Sequence, residues 1–115
     1  MDDTLDTSRL SDIFEDDRPA IVEVLHECSA YVRKAVGELE AAVRAGDVFA
    51  VSRAAHSIKG SCANVGALAF EREARAVEAD ARAGTIRADA ATTFATLIER
   101  LDLAIARYAG GSAAS

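Results

Sequence analysis

Three residues set one and a half turns of the chain apart from the rest: His56, Lys59 and Gly60, within the stretch "AHSIKGSCANVGA". An unperturbed imidazole titrates near pH 6.5, so at neutral pH it offers a lone pair as a nucleophile. A lysine three residues on lies one turn away on the same helical face and supplies a compact positive charge. That pair suits the capture of an anionic group such as phosphoryl. A glycine inside a helix costs about 1 kcal/mol relative to alanine, so Gly60 implies that something approaches the backbone beside His56.

These residues need a helix, and the surrounding pattern provides one. Val48, Val51, Ala55, Ile58, Cys62 and Val65 recur three and four apart. At about 100° per residue, this stripe centres roughly 130° from His56, which leaves the imidazole facing solvent. Ser52, Lys59, Gly60 and Ala63 are its neighbours one turn away. Phe49 lies two turns back on the same outer row, an aromatic suited to docking a partner.

Four further helices are read the same way. A short amphipathic turn covers about Thr7 to Phe14, with Leu10, Ile13 and Phe14 on one side. A long helix runs from about Asp17 to Ala45, with Pro19 in its first turn and Gly46 as its stop. Leu25, Cys28, Val32, Val36, Leu39 and Val43 form its apolar row. Asp47 is placed to cap the helix that carries His56, which ends near Asn64 to Gly66. The next runs from about Ala67 to Ala83, with Leu68, Phe70, Ala74, Val77 and Ala81 facing in, and Gly84 stops it. The last runs from about Asp89 to Tyr108. The fold class is all-α: an antiparallel up-down four-helix bundle over residues 1–109 with a short N-terminal capping helix. The tail 110–115, "GGSAAS", is expected to be disordered.

Composition narrows the function. The chain has 115 residues, one domain, with a net charge of −6. That acidity argues against nucleic acid as a partner. No apolar run of about 18 residues is present, and the acidic start does not read as a secretory signal, so the cytoplasm is the expected compartment. Cys28 and Cys62 fit no metal spacing and read as reduced, buried thiols. Glu23 and His26 spell Glu-x-x-His, but a di-iron bundle needs two such motifs and two more carboxylates, so His26 reads as a partly exposed structural residue. The charges of "EREARAVEADARAG" read as a solvated face. No phosphate-binding glycine loop occurs, so the chain has a phosphate acceptor without a nucleotide site and is not an autonomous kinase.

"HSIKGSCANVGA" closely resembles the signature of the histidine-containing phosphotransfer family, and the length and helix order extend the resemblance over nearly the whole chain. A bundle with short loops is expected to be a monomer, and the resemblance implies a free-standing or excised carrier. It would accept a phosphoryl group from a receiver-domain aspartate and pass it to another receiver, within a relay that includes a hybrid sensor histidine kinase. His56 would be phosphorylated at Nε2, Lys59 would stabilise the phosphoryl group, and Gly60 would give clearance. Gly66 would set the turn into the next helix and Asn64 could cap one of the adjoining helix ends. Phe49, Ser52, Ala63, Asn64 and Gly66 make up the expected docking surface. One of Arg72, Arg75 or Arg82 could orient the partner. No cofactor is expected in this chain, magnesium belonging to the receiver. The alternative is a bundle that binds and regulates a kinase or receiver without taking phosphate; the presence of His56, Lys59 and Gly60 together argues against it.

Overall fold

The computed structural model describes residues 5–63 and 67–114, without the side chains of 62, 63 and 111–114. Five helices follow in order: α1 (Ser8–Ile13), α2 (Arg18–Ala45), α3 (Val48–Ala63), α4 (Leu68–Arg82) and α5 (Ala90–Ala114). In cross-section α2 to α5 form a ring. Among the described residues α3 touches α2 and α4, α5 touches α2 and α4, and α1 packs on α2 alone. This is the up-down four-helix bundle with a short leading helix that the apolar periodicity implied.

Local chemistry sets the helix ends. The Asp17 carboxylate accepts from the Ala20 N–H at 3.3 Å, and Pro19 sits in the first turn, where its missing N–H costs nothing. α2 stops at Gly46, whose φ of 68° is the left-handed conformation that glycine adopts without a Cβ penalty. The next residue, Asp47, accepts from the Ala50 N–H at 3.1 Å and starts α3. A two-residue link therefore reverses the chain and lays α3 against α2. At the far end of α4, Gly84 (φ 88°) closes the helix, and the Arg87 side chain ties the following turn to Asp80 (2.6 Å) and Glu73 (3.3 Å).

The core is a single stack of aliphatic side chains with one aromatic pair. Ile21, Leu25, Val32 and Leu39 of α2 meet Val51 and Ile58 of α3, Val77 of α4, and Leu101 and Ile105 of α5, all at most 1% exposed. Phe70 and Phe94 stack with ring centroids 6.2 Å apart and join α4 to α5.

Some expectations are corrected. Ile13 is 61% exposed, because α1 is under two turns long and among the described residues touches only α2, so it buries Leu10 and leaves its last residue outside. Leu68, the first residue of α4, is exposed, and Val48, the first of α3, is half-buried, each at a helix end beyond the packed stack. Cys28 is half-buried rather than buried. The helical backbone of α5 continues past Tyr108 to Ala114. The largest correction concerns α4, whose charges are not all solvated: Glu78 is 4% exposed.

Candidate functional site

His56 lies in the middle of α3, between the buried Ala55 and Ile58, with its side chain 65% exposed. Lys59, one turn on, is mostly covered, at 28%. Both turn toward α4. There Glu78 lies within hydrogen-bond reach of both, across the groove between the two helices.

Glu78 is the hub. Its Oε1 accepts from Lys59 Nζ at 2.8 Å. Its Oε2 lies 2.9 Å from His56 Nδ1 and accepts from Arg82 Nη2 at 3.2 Å. Glu78 is all but buried, and a buried carboxylate without partners would be costly, so three donors around it satisfy the burial. The Lys59 hydrogen bond is the main influence holding the Glu78 carboxyl below its ordinary value. The His56 hydrogen bond and the Lys59 and Arg82 charges add to it, and burial pushes the other way.

That bias decides the protonation pattern of the imidazole. An ionised carboxylate only accepts, so the 2.9 Å contact requires the hydrogen on Nδ1. In the neutral ring the Nε2 lone pair is then free on the solvent side. Carboxylate, oriented imidazole and an outward nitrogen form the arrangement that readies a nucleophile.

Two shallow grooves flank the ring. One, of about 330 Å³, is lined by Ser52, Arg53, His56, Ser57, Glu78 and Arg82. The other, about 370 Å³, lies toward α2 and is lined by Tyr31, His56, Ser57, Gly60 and Ser61. Gly60 is exposed, and a Cβ built on it would meet nothing within 4 Å. Packing inside the chain therefore does not demand a glycine there.

The residues expected from sequence fall into three groups. His56, Lys59 and Gly60 are together on the α3 face. Phe49 stands 79% exposed two turns earlier, with Ser52 half-buried between. Ala63 ends α3, and its side chain, like Asn64 and Gly66 as a whole, lies outside the described residues. Of the three arginines, Arg82 joins the site, whereas Arg75 pairs with Glu71 within α4. His26 and Glu23 are exposed on α2, away from this cluster. Among the described residues no group of three or more His, Cys, Asp or Glu is disposed to hold a metal, and no helix is long and apolar enough to cross a membrane.

The sequence alone does not single out Glu78. It lies about 40° from Ala74 on the helical wheel, at the margin of the α4 core stripe. A carboxylate at that margin needs a cationic or hydrogen-bonding partner, and that was the available signal.

The domain is a ring of four helices that carries an exposed imidazole held by the carboxylate of the adjacent helix. The model of the Hpt domain family matches residues 12–108. The chain belongs to that family, the histidine phosphotransfer domains of two-component signalling. Searches of curated proteins and of solved structures gave no match.

Proposed function

We propose that this chain is a phosphorelay intermediate in which His56 carries the phosphoryl group. The observation that carries the reading is the contact between His56 Nδ1 and the buried Glu78, which leaves Nε2 outward on an exposed helix face. Nε2 attacks the phosphorus of an aspartyl phosphate on a receiver domain. The P–O bond breaks and the aspartate leaves as carboxylate. The reverse step delivers the group to a second receiver.

Lys59 and Arg82 both end beside the ring, on Glu78. Each can swing from that carboxylate to the phosphoryl oxygens, to which a cation binds through charge-assisted hydrogen bonds. Gly60 gives the incoming domain room. Phe49 and Ser52, on the same outer row, extend the contact surface, together with Ala63, Asn64 and Gly66 further along the sequence. The magnesium that activates the aspartyl phosphate belongs to the receiver. The chain acts as a monomer in the cytoplasm, between a hybrid sensor kinase and response regulators, with no nucleic acid or membrane as partner.

The test mixes the purified protein with a receiver bearing labelled aspartyl phosphate. Label appears on the wild type as acid-labile, base-stable phosphohistidine and is absent from His56→Gln. Equal labelling of the two proteins by every receiver tried overturns the proposal.

A further inference from the structure

We infer that Glu78 is a positioning residue that keeps the proton on Nδ1 after phosphorylation, and so sets how short-lived and how transferable the phosphohistidine is. This rests on the carrier reading and goes beyond it, because it concerns the fate of the charged ring rather than its capture.

Attack through Nε2 leaves a ring that bears phosphoryl on Nε2 and hydrogen on Nδ1, a cation. If Nδ1 keeps its hydrogen, breaking the N–P bond returns the electron pair to Nε2 and releases a neutral imidazole, a good leaving group. If Nδ1 loses it to water, the same cleavage would release an imidazolate, a poor one. The reactive form of the carrier is therefore the protonated one, and the protein controls its population by what faces Nδ1.

The surroundings of the ring favour retention through one group. On α4 the Glu78 carboxylate accepts from Nδ1 at 2.9 Å, and Arg82 is held on the same oxygen. On α3 Lys59 is bound to the other oxygen, and Arg53 lines the shared groove. From α2 the neighbour is Tyr31. Lys59, Arg82 and Arg53 are cations and oppose a charged ring; among the described residues Glu78 is the carboxylate that touches it. The phosphoryl group sharpens the effect. It attracts Lys59 and Arg82 to its own oxygens, and the Glu78 charge they had neutralised then faces the imidazolium. Burial strengthens that pairing, because little water competes for the carboxylate.

The experiment phosphorylates wild type and Glu78→Gln with potassium phosphoramidate, which modifies imidazoles without a protein donor, and follows the decay of phosphohistidine from pH 5 to pH 9. The wild type remains labile to higher pH. At pH 8 the variant's phosphohistidine lasts about tenfold longer, the factor that corresponds to one unit of proton affinity. At pH 5 the two lifetimes converge, because both rings are protonated. Superimposed profiles, or a shorter-lived variant at pH 8, overturn the inference. A second measurement needs only the wild type: in ¹⁵N-histidine-labelled, phosphorylated protein at pH 7, Nδ1 of His56 is protonated, and an unprotonated Nδ1 overturns it. Chemical phosphorylation keeps this test separate from the carrier reading, which fails on its own if no receiver transfers label to His56.

Discussion

The bundle contains two interhelical clusters of the same design with different consequences. Between α3 and α4, Glu78 receives His56 and Lys59 from one face of the earlier helix. Between α2 and α5, Asp102 receives Ser29 at 2.8 Å and Arg33, again one turn apart on the earlier helix. In each, an acid on the later helix fastens donors of a neighbour. The burial is reversed, however. Glu78 is 6% exposed at its side chain and its histidine is outside, whereas Asp102 is 39% exposed and its serine is buried. At α2–α5 the acid serves the donor, satisfying a hydroxyl that would otherwise be buried alone. At α3–α4 the donors serve the acid, and one of them is an exposed imidazole whose tautomer the acid dictates. The same pairing is a structural clip where the acid is wet and an orienting device where it is dry.

The largest expected effect separates the two clusters by function. His56→Gln abolishes phosphoryl uptake. Ser29→Ala leaves the uptake rate within about twofold and costs roughly 0.5–1.5 kcal/mol of stability, the value of one net hydrogen bond. Quantitative labelling alongside urea melts of both variants checks this. A loss of uptake in Ser29→Ala would mean that the α2–α5 clip also shapes the site.

Next comes stability. Glu78→Ala removes a buried acceptor and leaves three donors facing the groove. Lys59, His56 and Arg82 can each reach water, which limits the cost to about 1–3 kcal/mol. The double variant Ser29→Ala/Asp102→Ala removes a screened acid together with the hydroxyl it satisfies and should cost about 1 kcal/mol or less. The denaturation midpoints should fall in that order, and a larger loss for the double variant would reverse the assignment of wet and dry.

A smaller effect is read in pH. The Glu78 carboxyl is held below its ordinary value of 4.5 by Lys59 first, then by His56 and Arg82. A depressed folded-state value means that the charged form stabilises the fold above about pH 4.5. This contribution is lost as pH falls through the folded value, where the native state must take up a proton. Urea melts between pH 7 and pH 3 should therefore show the wild type losing more stability than Glu78→Gln. Parallel curves would mean that the carboxylate is not charged and paired in solution.

What could be read from the chain follows from the range of the interactions. His56, Lys59 and Gly60 are neighbours on one helix, so spacing alone exposed them. The apolar rows of α2 to α5 repeat regularly and gave the bundle. Glu78 and Arg82 reach the site across the α3–α4 groove, which depends on how deeply two helices seat and at what rotation. Periodicity places Glu78 only at the edge of a stripe, where a solvated and a buried charge look alike. The Ser29, Arg33 and Asp102 cluster is illegible in the sequence for the same reason, since Ser29 and Asp102 are 73 residues apart and meet only when α2 and α5 pack.

The finest comparison is between two glycines inside helices. Gly37 on α2 and Gly60 on α3 are both exposed, and a Cβ on either would meet nothing within 4 Å. Neither has a positive φ, so alanine suits both backbones. Each should therefore gain up to about 1 kcal/mol of stability on substitution by alanine. Gly60 lines the groove beside His56, and Gly37 lies off it. Gly60→Ala should then be more stable yet slower to accept phosphoryl from a receiver, while Gly37→Ala should be more stable and equally fast. Phosphoramidate, being small, should label all three proteins alike. Slower transfer combined with unchanged chemical labelling would place the obstruction at the approach of the partner domain, since a defect in the nucleophile itself would slow both reactions.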